Sequence, residues 1–87
     1  MNYTIELSKD VKKILKKCDR HIVIHFFEKI KIMSINPFDS RLDIKKLQNS
    51  DDYRLRVGKF RFLYTIQENI ILIYFYKADS RGDIYKN

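Results

Sequence analysis

Between Asp52 and Glu68 the chain carries Arg54, Arg56, Lys59 and Arg61 and no acidic residue. Arginine holds its charge throughout the accessible pH range, grips phosphate through a bidentate fork and stacks on bases. An acid-free run of three arginines therefore points to a polyanion, and to phosphodiester binding in particular. The whole chain agrees in sign: 87 residues carry a net charge of +7, with a pI near 9.6. A small domain this basic has the electrostatic footprint of a nucleic-acid binder. The competing reading is a solubilising lysine-rich surface, with the arginines covered by Asp51-Asp52 or by an acidic partner as ordinary ion pairs.

Other chemistries find little support. The sequence has no glycine-rich phosphate loop, no H-E-x-x-H and no serine–histidine–aspartate spacing. His21 and His25 stand four apart, as a metal pair on one helix face would, but no carboxylate accompanies them at suitable spacing. Cys18 ends an apolar stripe and reads as a small core residue. The acids are too scattered for a two-metal nuclease site, so phosphodiester cleavage here is expected to need neither metal nor cofactor.

The arginines need a scaffold that presents them together. Val57-Gly58-Lys59-Phe60 reads as a two-residue hairpin, with Gly58 supplying the positive φ of a type II′ turn. That loop pairs Tyr53 with Tyr64, Leu55 with Phe62, Arg56 with Arg61 and Val57 with Phe60. The apolar residues then share one face and Arg54, Arg56 and Arg61 the other; a slip of one residue would bury the arginines. Arg56 opposite Arg61 is a like-charge pair, which destabilises a sheet unless something neutralises it. The next strand, Ile70 to Lys77, is apolar on both faces, as a covered strand is. A two-residue turn at Glu68-Asn69 would set Tyr76 opposite Arg61 and Tyr74 opposite Leu63, giving bases a surface on which to stack.

Upstream, Tyr3, Ile5 and Leu7 alternate with polar residues as a strand does. Ser8 is placed to cap a helix striped by Val11, Ile14, Leu15 and Cys18, with lysines opposite. Asp19 is placed to cap a second helix striped by Ile22, Phe26, Ile30 and Met33 and widened by Val23 and Phe27; Asn36-Pro37 ends it. Residues 38–52 read as a polar connection. The expectation is one α+β domain over residues 1–87: a strand, a two-helix hairpin, then a three-stranded antiparallel meander with the helices on one face. No apolar run is long enough for a membrane span and no signal-peptide core follows Met1, so a cytoplasmic protein is expected.

This element order, with Tyr53-Arg-Leu-Arg-Val-Gly-Lys-Phe-Arg-Phe-Leu-Tyr64, Lys45-Lys46-Leu47 and the ending Ser80-Arg81-Gly82-Asp83-Ile84-Tyr85, resembles the RelE-like branch of the RelE/ParE superfamily. These are toxins of bacterial type II toxin–antitoxin pairs. The resemblance implies a metal-independent endoribonuclease that cuts mRNA in the ribosomal A site through attack of the 2′-hydroxyl on the adjacent phosphorus. It also implies a cognate antitoxin bound in a hetero-oligomer. By the same resemblance Arg61 grips the scissile phosphate, Arg81 is a second phosphate-directed arginine, and Tyr85 stacks on a base or orients the 2′-hydroxyl. Arg54 and Arg56 stand where relatives carry lysines. Because arginine is a poor general base, Tyr85 or Lys46 becomes the candidate proton acceptor. Lys46, Lys59, Tyr74 and Tyr76 complete the expected RNA-binding set. Two alternatives remain at this stage: a ParE-like inhibitor of DNA gyrase, and a catalytically weak module that only binds antitoxin or RNA.

Overall fold

The structure is a computed structural model, and residues 2–80 are described. Its elements are β1 (Thr4–Leu7), α1 (Lys9–Lys17), α2 (Arg20–Ile35), β2 (Ile44–Lys46), β3 (Tyr53–Val57), β4 (Phe60–Gln67) and β5 (Leu72–Ser80). They form one five-stranded sheet in the order β1-β5-β4-β3-β2. The α+β expectation holds. Two strands enlarge the meander: β1 joins its far edge, parallel to β5, and β2 lies antiparallel to β3. The segment expected to be a polar connection therefore contains a strand, together with a buried Leu42.

Both helix starts fall where the sequence places them, but only one is capped by its side chain. The Ser8 hydroxyl accepts the Val11 N–H at 3.2 Å, whereas Asp19 makes no such bond. Helix α2 stops at Ile35 with Asn36 as its C-cap, just before Pro37. Ile22, Phe26 and Met33 are buried, but Phe27 is 42% exposed and widens the core stripe less than expected.

The helices cover one face of the sheet. Phe26 is fully buried, its ring 4.4 Å from that of Phe62 and 5.4 Å from that of Phe75. Tyr64 and Phe75 extend the cluster at 4.8 Å, and Tyr53 stacks on Tyr64 at 5.8 Å. Each fully buried ring contributes about 1.5–3 kcal/mol of transfer free energy, so this cluster anchors the helices to the sheet. The Tyr64 hydroxyl is buried within it and has no hydrogen-bond partner among the described residues; burial drives its pKa far upward. Because an unsatisfied buried hydroxyl is costly, Tyr64→Phe is expected to stabilise the fold by about 1 kcal/mol. In a domain of this size that raises Tm by about 4–8 °C, and a thermal melt of the two proteins checks it.

The β3–β4 hairpin has the register read from its alternation: Tyr53 faces Tyr64, Leu55 faces Phe62, Arg56 faces Arg61 and Val57 faces Phe60. Gly58 has φ +60, the sign expected at the first central position of a II′ turn. A Cβ there would also stand 2.6 Å from Ile22 Cδ1. Gly58→Ala combines a left-handed backbone with that collision, and should cost about 1–3 kcal/mol in denaturant unfolding.

The β4–β5 register departs from the expected one. In place of a tight turn at Glu68-Asn69 there is a single 3-10 turn, Glu68–Ile70, followed by Ile71 in the left-handed region at φ 53. Gln67 therefore pairs with Leu72, two residues later than expected. A bulge between Leu63 and Tyr64 adds one more. Arg61 consequently faces Asp79 and not Tyr76, and Leu63 faces Lys77 and not Tyr74.

Candidate functional site

The face of the sheet opposite the helices carries the arginines in cross-strand rows. Directly paired residues project to the same side. One row runs through Arg56, Arg61 and Asp79, and Asp43 extends it, since its carbonyl accepts the Arg56 N–H at 3.0 Å. The adjoining row is Lys45, Arg54, Leu63 and Lys77. Leu47, Arg54, Arg61, Leu63, Lys77 and Asp79 line a shallow concavity of about 200 Å³ between these rows.

The arginines differ in how they are held. Arg54 is the most fixed: its side chain is only 13% exposed, and Nη1 donates to the carbonyl and carboxylate of Asp43 at 3.2 and 3.1 Å. An acidic residue therefore does cover part of the patch, but it is Asp43 and not Asp51-Asp52. Asp51 instead lies 3.8 Å from Lys46 Nζ. Arg56 has no carboxylate at ion-pair distance among the described residues. Arg61 is half-buried between Arg56 on one side and Asp79 on the other. The like-charge pair thus sits in a row with an acid at each end, which offsets the repulsion between the guanidiniums. Asp79 leans toward its neighbour Lys77, with Oδ2 3.6 Å from Nζ.

Several expected site residues sit elsewhere. Lys46 pairs with Tyr53 and so lies on the helix side of the sheet; it is Lys45 that stands beside Arg54. Lys59 is at the hairpin tip, its Nζ 5.9 Å from the centre of the Phe60 ring, and does not line the concavity. Tyr74 pairs with Thr65 and Glu6, outside the concavity. Tyr76 occupies the bulge, and its hydroxyl donates to Asp52 Oδ2 at 2.7 Å, which links β5 to the loop before β3. Burial, reinforced by the Asp52 carboxylate, pushes this hydroxyl up to about 12. It therefore stays protonated at neutral pH and serves as a clasp. Arg81 and Tyr85 lie outside the described residues.

Lys45, Lys77 and Asp79 are the site residues that the sequence reading missed. The alternation in β3 and β4 contains no information about them; their positions depend on the pairing of β2 and on the bulge. Among the described residues no group of three metal-ligating side chains is assembled, and no helix is long and apolar enough to cross a membrane.

No protein-family model matches the chain. The protein RelE1 of Methanocaldococcus jannaschii is 36% identical over 89 residues, covering 100% of this chain and 99% of the relative. Among solved structures, RelE in the archaeal RelE–RelB complex of Pyrococcus horikoshii superposes with a TM-score of 0.84 at 28% identity, covering 94% of this chain and 98% of that one. The RelB–RelE complex of Methanococcus jannaschii gives 0.77 at 27% identity, with 92% and 94% covered. A mutant of the E. coli toxin RelE in the free state shares the fold, with a TM-score of 0.74 at 16% identity over 99% of this chain and 90% of that one. The full-length identity with an archaeal RelE protein places the chain in the RelE family of toxins.

Proposed function

We propose that this chain is the toxin of a type II toxin–antitoxin pair and acts as a ribosome-dependent mRNA endonuclease. The observation that carries the reading is the convergence of Arg54, Arg61 and Lys77 on one concavity of the sheet face opposite the helices. Cations fixed by the strands are aligned before substrate arrives, and pre-aligned charge is what stabilises a phosphorane-like transition state. Arg61, in the middle of its row, is the residue proposed to bear on the scissile phosphate. Arg56 and Lys45 supply flanking backbone contacts, while Arg81 and Tyr85 keep the roles that the family resemblance gives them. The similar proteins from P. horikoshii and M. jannaschii occur in complexes of RelE with RelB, which supports a cognate antitoxin for this chain.

The test is expression in bacteria with mapping of RNA ends. Translation arrest with cuts spaced by codons and 2′,3′-cyclic phosphate termini is the expected result, relieved by co-expression of the antitoxin. Induction of the DNA-damage response without mRNA cuts would instead place the target at DNA gyrase, and absence of any growth effect would mark a binding module.

A further inference from the structure

Cleavage by 2′-hydroxyl attack needs a proton acceptor, and among the described residues the concavity contains few. Arginine and lysine side chains are donors only, and leucine offers neither donor nor acceptor. Among the described residues six side chains line the concavity; five are unable to receive a hydrogen bond, and the sixth is Asp79. Asp79 stands opposite Arg61 in the β4–β5 register and lines the same concavity as Arg54 and Lys77, and its side chain is 30% exposed, so a substrate can reach it. Lys77 Nζ stands 3.6 Å from one oxygen, and the other takes no part in that ion pair.

We infer that Asp79 is a catalytic residue, the acceptor of the 2′-hydroxyl proton. The inference rests on the endonuclease reading above and deepens it. In the step, the 2′-oxygen forms a bond to the adjacent phosphorus as its proton passes to the Asp79 carboxylate. The bond from phosphorus to the 5′-oxygen breaks, that oxygen leaves with the electron pair and takes a proton from water, and the products are a 2′,3′-cyclic phosphate and a 5′-hydroxyl. Asp79 then returns its proton to solvent. Arg61, directly opposite, places its positive charge where the phosphoryl oxygens gain negative charge.

A base and a mere counter-ion make opposite demands on Asp79. Its negative charge opposes phosphate binding, so Asp79→Asn should tighten binding of RNA on programmed ribosomes in either case. If Asp79 accepts the proton, kcat falls by about 10²–10⁴-fold in the same variant. Asp79→Glu should recover part of the rate, and unchanged melting of both variants shows that the sheet is intact. An Asp79→Asn protein that folds, binds more tightly and cuts at the parental rate or faster overturns the inference and leaves Asp79 as a counter-ion. A parent chain that arrests growth without cutting mRNA overturns the endonuclease reading instead, and is seen before any variant is made.

Discussion

Arg61→Ala is expected to melt like the parent chain and to cut ribosome-bound mRNA about 10²–10³-fold more slowly, the loss seen when one pre-aligned donor to a developing oxyanion is removed. The two halves of this expectation have separate causes. Arg61 projects from β4 away from the aromatic core, so its truncation opens no cavity among Phe26, Phe62 and Phe75. Its loss also relieves the repulsion with Arg56, which offsets part of whatever contact is lost. Lys59→Ala is the matching control, because the hairpin tip lies outside the concavity. Denaturant unfolding and single-turnover cleavage on the same preparations check both halves. An Arg61→Ala protein with parental melting and parental cleavage removes this residue from the site.

The second large effect concerns folding. Phe26→Ala is expected to destabilise the chain by about 3–5 kcal/mol, a large share of the stability of a domain this small. Phe26 is fully buried and touches the β4 and β5 rings at once, so it is the main tie between α2 and the sheet. The surrounding aromatic rings have little freedom to collapse into the space. The measurement is the midpoint of urea unfolding, compared with that of Phe27→Ala. Phe27 is 42% exposed, and its truncation should cost far less.

The parts of this architecture that could be read from the residues are those where one face is apolar and the other is not. In the β3–β4 hairpin the alternation of Tyr53, Leu55 and Val57 with Arg54 and Arg56 admits a single register, and the structure has it. Strand β5 lacks that contrast, since Ile73, Tyr74, Phe75 and Tyr76 are apolar or aromatic on both faces. Any shift leaves such a strand equally content, and periodicity cannot reveal a bulge or a left-handed Ile71 in the preceding loop. The error of three positions that follows is what hid Asp79 behind Tyr76. Strand β2 failed for a different reason: three residues, two of them lysine, are too few to establish a period. The face bearing the arginines was therefore legible, while the residues that complete it came only with the pairing of β2 and β5.

The parallel pairing of β1 with β5 has a consequence for synthesis. Thr4 to Leu7 are made before the other strands of the sheet, yet they find their partners in Leu72 to Phe75. The same late strand delivers Lys77 and Asp79 to the concavity. A chain still growing on the ribosome has its basic hairpin but neither the strand that seats its N-terminus nor the carboxylate facing Arg61. Translation products that stop before β5 should therefore lack both the seat for β1 and a complete concavity.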